Sequence, residues 1–468
     1  MALPALVTDP TVIAGYLTDA SNVHGEAVGL VRPRTAAEVA AVLAHCQQDG
    51  IPVTPTAGRT STTAGAVPRG GWLLALEGFS RILRIGHDEA EAEAGAFLGA
   101  FQAEIEATGR FYPPDPTSKN DCTLGASIAC NASGARTFRY GATRGWVEAL
   151  EVVLPTGAIL EVQRGDPIPP DWPAIAWDEP RVKTAAGYAP PRSLIDLFIG
   201  TEGTLGVITR ATVRLTDLPR DVIGLVALFP DRQAAVRFVV AARSAARADP
   251  RGALSPRCLE YFDRACVGLA RERLGWIPEA AGAALFCEQE VEACGADAHL
   301  EAWLTALSAA GAFADDTILA TDAPGRERLL ALRHAIPAGI NEQVVRNGMP
   351  KVGTDLAVPD AGLDAMMDAY EAAPLDHVLF GHIGDNHLHL NLLPKTAAEL
   401  DAAHAAYDGL ARLALSLGGT VSAEHGIGKL KRKHLAWMVG DRVLDQFRAL
   451  KRYLDPAGIL ARGNVFEP

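Results

Sequence analysis

The chain has 468 residues, more than one hydrophobic core usually spans, so two domains are expected, one of them free to be discontinuous. Hydrophobic residues make up 49% of it, enough for packed cores, and charge, Gly or Pro breaks each apolar stretch before the roughly 18 residues a membrane span needs. A formal net charge of -13 opposes binding to a phosphate backbone, which takes clustered Lys and Arg, and so argues against nucleic acid as a partner.

Residues 1–30 lack a basic stretch followed by an apolar one and carry acidic side chains where a transit peptide avoids them, which points to the cytoplasm. Residues 33–49 predict a helix: Thr35 with Glu38 three residues later is a capping box, apolar residues follow at helical spacing, and Gly50 ends it. The segment 51–55 (IPVTP) follows as a short strand and runs into a Gly, Ser and Thr-rich stretch, 56–70. Further strands are expected at 71–77, at 147–154, where Pro155-Thr156-Gly157 signals a turn, and at 205–215. This mixture predicts an α+β domain. From about Val222 the pattern changes to strands separated by Ala-rich amphipathic helices such as 234–246 and 402–417, which sets a domain boundary near residue 218. Near the C-terminus the basic run 429–434 reads as a solvated helix face, at least for its outer residues. The seven cysteines are scattered, odd in number and free of any C-x-x-C pair, the pattern of reduced structural thiols.

Three segments of the first domain are dense in small residues. Pro55-Thr56-Ala57-Gly58-Arg59-Thr60-Ser61 joins a strand to residues whose N–H groups can line up against a phosphate. Pro114-Asp115-Pro116-Thr117 is followed by Gly125 to Ala129 and Asn131 to Gly134, where small side chains let backbone approach a flat ligand. Gly200 to Ile208 sets three glycines just ahead of a strand. With no G-x-G-x-x-G after a strand, these point away from a Rossmann site and toward another way of burying a dinucleotide.

Two later segments carry chemistry. In Gly381 to Asn391 (GHIGDNHLHLN) a Gly-Asp-Asn turn leads into a strand whose His387, His389 and Asn391 share one face, with Leu388 and Leu390 on the other. In Gly418 to Lys429 (GGTVSAEHGIGK) glycines flank an adjacent Glu424-His425 pair, so backbone can turn tightly around it. Together they supply nitrogen and carboxylate ligands suited to zinc, manganese or iron, with positions left open for a substrate.

These segments resemble the FAD-linked oxidases of the vanillyl-alcohol oxidase superfamily, in particular the D-lactate, glycolate and D-2-hydroxyglutarate dehydrogenase branch. The likeness runs from about residue 26 to the C-terminus. It rests on P-x-A-G-R-T at 55–60, PPDPTS at 113–118, the region 131–145, GTEGTLGVIT at 200–209 and the two histidine segments, close to G-H-x-G-D-x-x-L-H-x-N and S-A-E-H-G-I-G. The resemblance implies a two-part FAD-binding domain, residues 1–218 and a returning segment 421–468, and an α+β substrate or cap domain with an antiparallel sheet, residues 219–420. It implies non-covalent FAD contacts at Pro55, Gly58, Arg59, Thr60, Ser61, Pro114, Asp115, Thr117, Gly125, Ser127, Asn131, Gly134, Glu202, Gly203 and Ile208. In metal-dependent members the positions of His382, His389 and Glu424 hold the ion, zinc first with manganese or iron as alternatives, and the position of His425 is the catalytic base.

By the same resemblance Arg333 and Lys351 bind the substrate carboxylate, a forked and a point charge, with Asn391 beside them. A 2-hydroxy acid chelates a dication through its carboxylate and hydroxyl oxygens, which lowers the hydroxyl pKa and orients the Cα–H toward the flavin. His425 then removes the hydroxyl proton as hydride passes to flavin N5, a task that suits an imidazole of ordinary pKa about 6.5. Several positions depart from the family. Arg59 replaces a usual glycine, Ala461-Arg462-Gly463 replaces N-P-G, and His387 stands where asparagine is more common and takes a supporting role. Pro337 replaces a hydroxyl residue of the hydroxyglutarate-selective members, which leaves D-lactate or another monocarboxylate equally open. Two other readings compete: a metal-independent FAD oxidase of alcohols or phenols, and a flavin-binding subunit of a glycolate oxidase-type complex. Quinone, cytochrome and an electron-transferring flavoprotein all remain open as electron acceptor, and a homodimer is compatible with the sequence.

Overall fold

In the computed structural model, which describes residues 3–274, 277–320 and 323–467, the first capped segment forms a helix, Ala36–Asp49. The Thr35 hydroxyl accepts from Glu38 N at 3.2 Å, and Gly50, at φ 67, closes the other end onto Cys46 O. Its buried face (Val39, Val42, Leu43, Cys46) packs on Val31, Val53 and Leu74 of a parallel three-stranded sheet. There Trp72–Ala75 lies between Gly29–Val31 and Val53–Thr56.

Two compact units make up the chain. The first comprises Met1–Gly134, Ala142–Leu218 and Val421–Pro468. Beside the parallel sheet it holds a five-stranded antiparallel one, in the order Ile82–Ile85, Glu89–Glu93, Val207–Arg214, Val147–Val153, Ile159–Gln163. The turn at Pro155-Thr156-Gly157 forms as expected, with Gly157 N donating to Leu154 O and Gly157 at φ 87. The C-terminal segment returns to this unit as an extra edge: Val53 N donates to Ile459 O and Ala461 N to Val53 O, each at 2.8 Å. Part of the basic run is not a solvated face. Lys429, Lys431 and His434 are buried, because both ammonium groups are spent on oxygens of the unit, Lys429 on Ala64 O and Asn464 Oδ1 and Lys431 on Ser422 Oγ.

The second unit comprises Ala135–Gly141 and Pro219–Thr420. Its strands form one antiparallel sheet in the order Ile318–Ala320, Val222–Phe229, Ala283–Glu290, Pro256–Phe262, His377–His382, His387–Leu392, Val352–Gly353, with Leu356–Ala357 also on His387–Leu392. The near-continuous apolar run 222–229 is explained by helices on both faces. Leu225, Ala227 and Phe229 enter one core with Arg232–Ala248, Ala296–Ala310 and Ala397–Ser416, while Val226 and Leu228 enter the other with Arg264–Leu274 and Ala323–Asn347. Residues 135–141 pack with this unit rather than with their chain neighbours: Arg139 pairs with Glu292 at 2.6 Å, Tyr140 bonds Glu290, and Phe138 lies against Gly384. All seven cysteines are free thiols.

Candidate functional site

The second unit builds an imidazole cluster from a single hairpin. His377–His382 and His387–Leu392 pair so that His382 faces His387 and Phe380 faces His389. The connection is a single 3-10 turn, Ile383–Asp385, ended by Asn386 at φ 52. That left-handed position suits asparagine, whose side chain is then locked between Asp360 and Arg243. Leu388, Leu390 and Leu392 enter the core on one side, so strand alternation turns His387, His389 and Asn391 to the other. Ring centroids lie 5.5 Å apart for His382 and His387, 5.9 Å for His382 and His389, and 4.4 Å for His387 and His389. One ring nitrogen of each comes within 4.8 Å of the others. Gly381, at φ 140, is needed for this approach, since a Cβ there would sit 3.1 Å from His389 Cδ2 and 2.9 Å from His387 O.

Each imidazole is oriented from behind. His389 Nδ1 lies 3.0 Å from Thr354 O, an acceptor only, so Nδ1 carries a hydrogen and Nε2 is the nitrogen turned to the cluster. His382 Nδ1 stands 2.9 Å from Glu260 Oε1 and His387 Nε2 stands 2.9 Å from Asp355 Oδ1. Neither carboxylate was singled out from the sequence. Glu260 did leave a signal, a carboxylate inside the mostly apolar strand Pro256–Phe262, where Arg257 is the other charge; Asp355 left none beyond its place after Thr354. Lys351 precedes Val352–Gly353 and is still open to water, and the protein around its ammonium lowers its pKa by desolvation. Asn391 is buried, its amide donating to His389 O at 3.3 Å. Arg333 lies along Ala323–Asn347, but its side chain is outside the described residues; Pro337 sits inside the same helix.

The first unit carries the Glu-His turn. Glu202, buried and at φ 53, accepts from Ile427 N and Gly428 N at 2.7 Å each. Burial raises its pKa, against the pull of those two amides and of Lys429. Gly426 (φ 74) and Gly428 (φ 50) allow the loop to close on these partners: a Cβ on Gly428 would stand 2.0 Å from Thr63 O. Lys183, with its side chain 2% exposed, holds Glu424 Oε2 at 2.8 Å, and His425 Nε2 lies 3.6 Å from Glu424 Oε1 with a third of its side chain exposed. The turn is tied to the first small-residue loop, since Thr63 Oγ1 donates to His425 O at 3.3 Å and Lys429 N donates to Thr63 O at 2.8 Å. Burial pushes the Lys429 ammonium down to about 8.

The remaining segments named from the sequence meet around that loop in the same unit. The turn after Pro55 packs its Gly58 on Asp121, where a Cβ would come within 2.2 Å of the carbonyl, and Gly134 packs as closely on Asp115 O. Pro114 O accepts from Gln102, and Thr117 is exposed. Gly125 N donates to Ala94 O, while the Ser127 hydroxyl donates to Leu124 O. Asn131, at φ 47, accepts from Arg144 N and donates to Thr184 O. Glu202 N donates to Ala129 O, which joins the second and third segments; Gly203 is at φ 71 and Ile208 is buried in Val207–Arg214. Arg59 adopts φ 54, a conformation that explains glycine as the usual residue there; its guanidinium rests 4.7 Å from the Tyr16 ring centroid and 3.5 Å from Glu77. Among the described residues, no acceptor in the chain takes the N–H groups of Gly58, Arg59, Thr60 or Ser61. Asn464, which sequence reasoning missed, ties the loop to the third segment by donating to Gly65 O and Glu202 O.

Comparison with known proteins decides the family. The model for FAD linked oxidases, C-terminal domain, matches residues 218–465, and that for an FAD binding domain matches residues 27–163. The chain belongs to the FAD-linked oxidases. Within them it is 30% identical to the D-2-hydroxyglutarate dehydrogenase of Xanthomonas citri over 484 aligned residues, covering 100% of this chain and 95% of the relative. It is also 30% identical to the D-lactate dehydrogenase of Archaeoglobus fulgidus, covering 93% and 90%, and 29% identical to the glycolate oxidase subunit GlcD of Bacillus subtilis, covering 93% and 88%. A solved alkyldihydroxyacetonephosphate synthase shares the fold, with a TM-score of 0.70 at 18% identity over 97% of this chain and 81% of that one. The two-domain α+β architecture and the superfamily resemblance are thus borne out. An FAD-linked oxidase needs a place for a pyrophosphate, and the amides at 58–61 fit one: they are unspent donors in a loop that close backbone packing holds in shape. No helix among the described residues is long and apolar enough to cross a membrane.

Proposed function

We propose that this FAD-linked oxidase is a dehydrogenase that converts a small D-2-hydroxy acid, of the D-lactate or D-2-hydroxyglutarate class, to the 2-oxo acid. The observation that supports the reading is the anchoring of the Glu424-His425 turn on Thr63, which follows the loop that would receive FAD. The FAD residues are those named above, and the cofactor when bound supplies the hydride acceptor. A divalent ion, zinc first, would be held by His382, His389 and Glu424 and would supply Lewis acidity toward the hydroxyl and carboxylate oxygens. His425 takes the hydroxyl proton, and its partly exposed side chain leaves the ring reachable. Lys183 holds the Glu424 carboxylate in place. Lys351, with Arg333 and Asn391, receives the substrate carboxylate; the residue stays accessible, and the protein packed about its ammonium lowers its pKa, so an anionic partner favours its charged form. Seven free thiols accord with the cytoplasm.

Anaerobic bleaching of the flavin, screened over D- and L-2-hydroxy acids, tests the reading. Only D-acids should bleach, and a chelated, metal-free sample should stay yellow without turning over; undiminished turnover after chelation would overturn the metal assignment. Similarity to a glycolate oxidase subunit favours a second reading, a flavin-binding subunit of a larger complex. Bleaching by the purified chain alone rejects the form of it in which this subunit is not catalytic.

A further inference from the structure

His387 is completely buried, and the reading above assigns it no task. Its ring faces two others, and all three offer a nitrogen within 4.8 Å of one another on one face of one hairpin. Zinc–nitrogen bonds of about 2.0 Å place the nitrogens of a tetrahedral site roughly 3.3 Å apart, so small side-chain rotations would close the cluster on an ion. Beside His387 lies Asp355, equally buried, with Oδ1 2.9 Å from Nε2. A carboxylate on an imidazole is the arrangement that orients a metal-bound histidine and strengthens it as a donor. Glu260 stands in the same relation to His382. Packing alone gives no reason to gather three imidazoles on one face of the hairpin, two from the strand that turns three leucines to the core on its other face and one from its partner strand.

We propose, resting on the metal reading above, that His387 is itself a ligand, with Asp355 as its carboxylate partner. The second unit then supplies three nitrogens rather than two. Such a donor set selects an ion that favours imidazole, zinc or cobalt, over manganese or magnesium.

The test uses the full chain, stripped with a chelator and titrated with Zn²⁺ and with Mn²⁺ against a chromophoric competitor. His387→Asn should lower zinc affinity by at least about 100-fold and Asp355→Asn by about 10-fold to 100-fold, with manganese affinity changed far less. Far-UV circular dichroism and retained flavin colour report on folding. X-ray absorption at the zinc edge of the wild-type protein counts imidazoles without any substitution: three supports the assignment, two overturns it. A His387→Asn protein that binds zinc like wild type also overturns it. Should the wild type bind no zinc, and match a His382→Ala, His389→Ala double variant, the metal reading itself fails and carries this one with it.

Discussion

The imidazole hairpin of the second unit and the Glu-His turn of the first reach order by opposite routes. In the hairpin, alternation along a strand and one tight turn suffice, so residues 382, 387 and 389 meet within two paired strands and the turn that joins them. The turn has no such local rule. Its anchors come from far away: Glu202 at 225 and 226 residues, Lys183 at 241 and Thr63 at 362. Locally paired geometry should therefore survive the loss of one distant partner, whereas geometry assembled from separate segments should not.

Substitutions can break or sharpen that contrast. The largest expected effect is at the proposed base: His425→Ala should slow anaerobic bleaching by about 10²-fold to 10⁴-fold with flavin still bound. Wild-type rates would remove the turn from the chemistry. Next comes Glu202→Ala, which leaves two buried N–H groups without their acceptor and removes a charge that favours the Lys429 ammonium, and should cost about 3 kcal/mol in denaturant melts. A loss under about 0.5 kcal/mol would show that the turn holds its shape without that anchor. Lys183→Met should reduce turnover about 10-fold through a misplaced Glu424, with melting little changed; an equal loss of stability would instead make the lysine a structural pin.

Lys429 gives the contrast a pH dependence. Its ammonium is held at about 8, below the roughly 10.4 of an unfolded chain, so the unfolded state binds the extra proton between these values. Stability of the wild type relative to Lys429→Met should thus rise as pH climbs from 8 toward about 10, and fall as pH drops through 8. A flat difference would mean that the ammonium is not desolvated. The smallest effect belongs to the hairpin. Thr354→Val removes the hydroxyl that accepts from Leu390 N and should cost about 1 kcal/mol, leaving the proposed zinc binding unchanged. A large loss there would deny the hairpin its local robustness.

The same contrast explains what could be read in advance. The helix Ala36–Asp49 was legible because its stop and start are written in Thr35, Glu38 and Gly50, and the antiparallel strands because their burial follows period two or a continuous apolar run. His387 and His389 on one strand face followed from alternation alone. Asn464 could not be found, since only the returning C-terminal segment brings its amide to Gly65 and Glu202. Lys183 was equally silent, and residues 135–141 join the second unit through Arg139 and Tyr140, which no local pattern distinguishes from surface residues.

By itself, then, the sequence determined the family, the element types and the chemical character of the two histidine segments, because these depend on neighbours within a few residues or on short motifs. Only the tertiary structure decided which buried charges stand behind them: Glu260 at His382, Asp355 at His387, Lys183 at Glu424 and Glu202 under the turn. A desolvated charge must find its partner wherever folding brings one, and that requirement has no period along the chain.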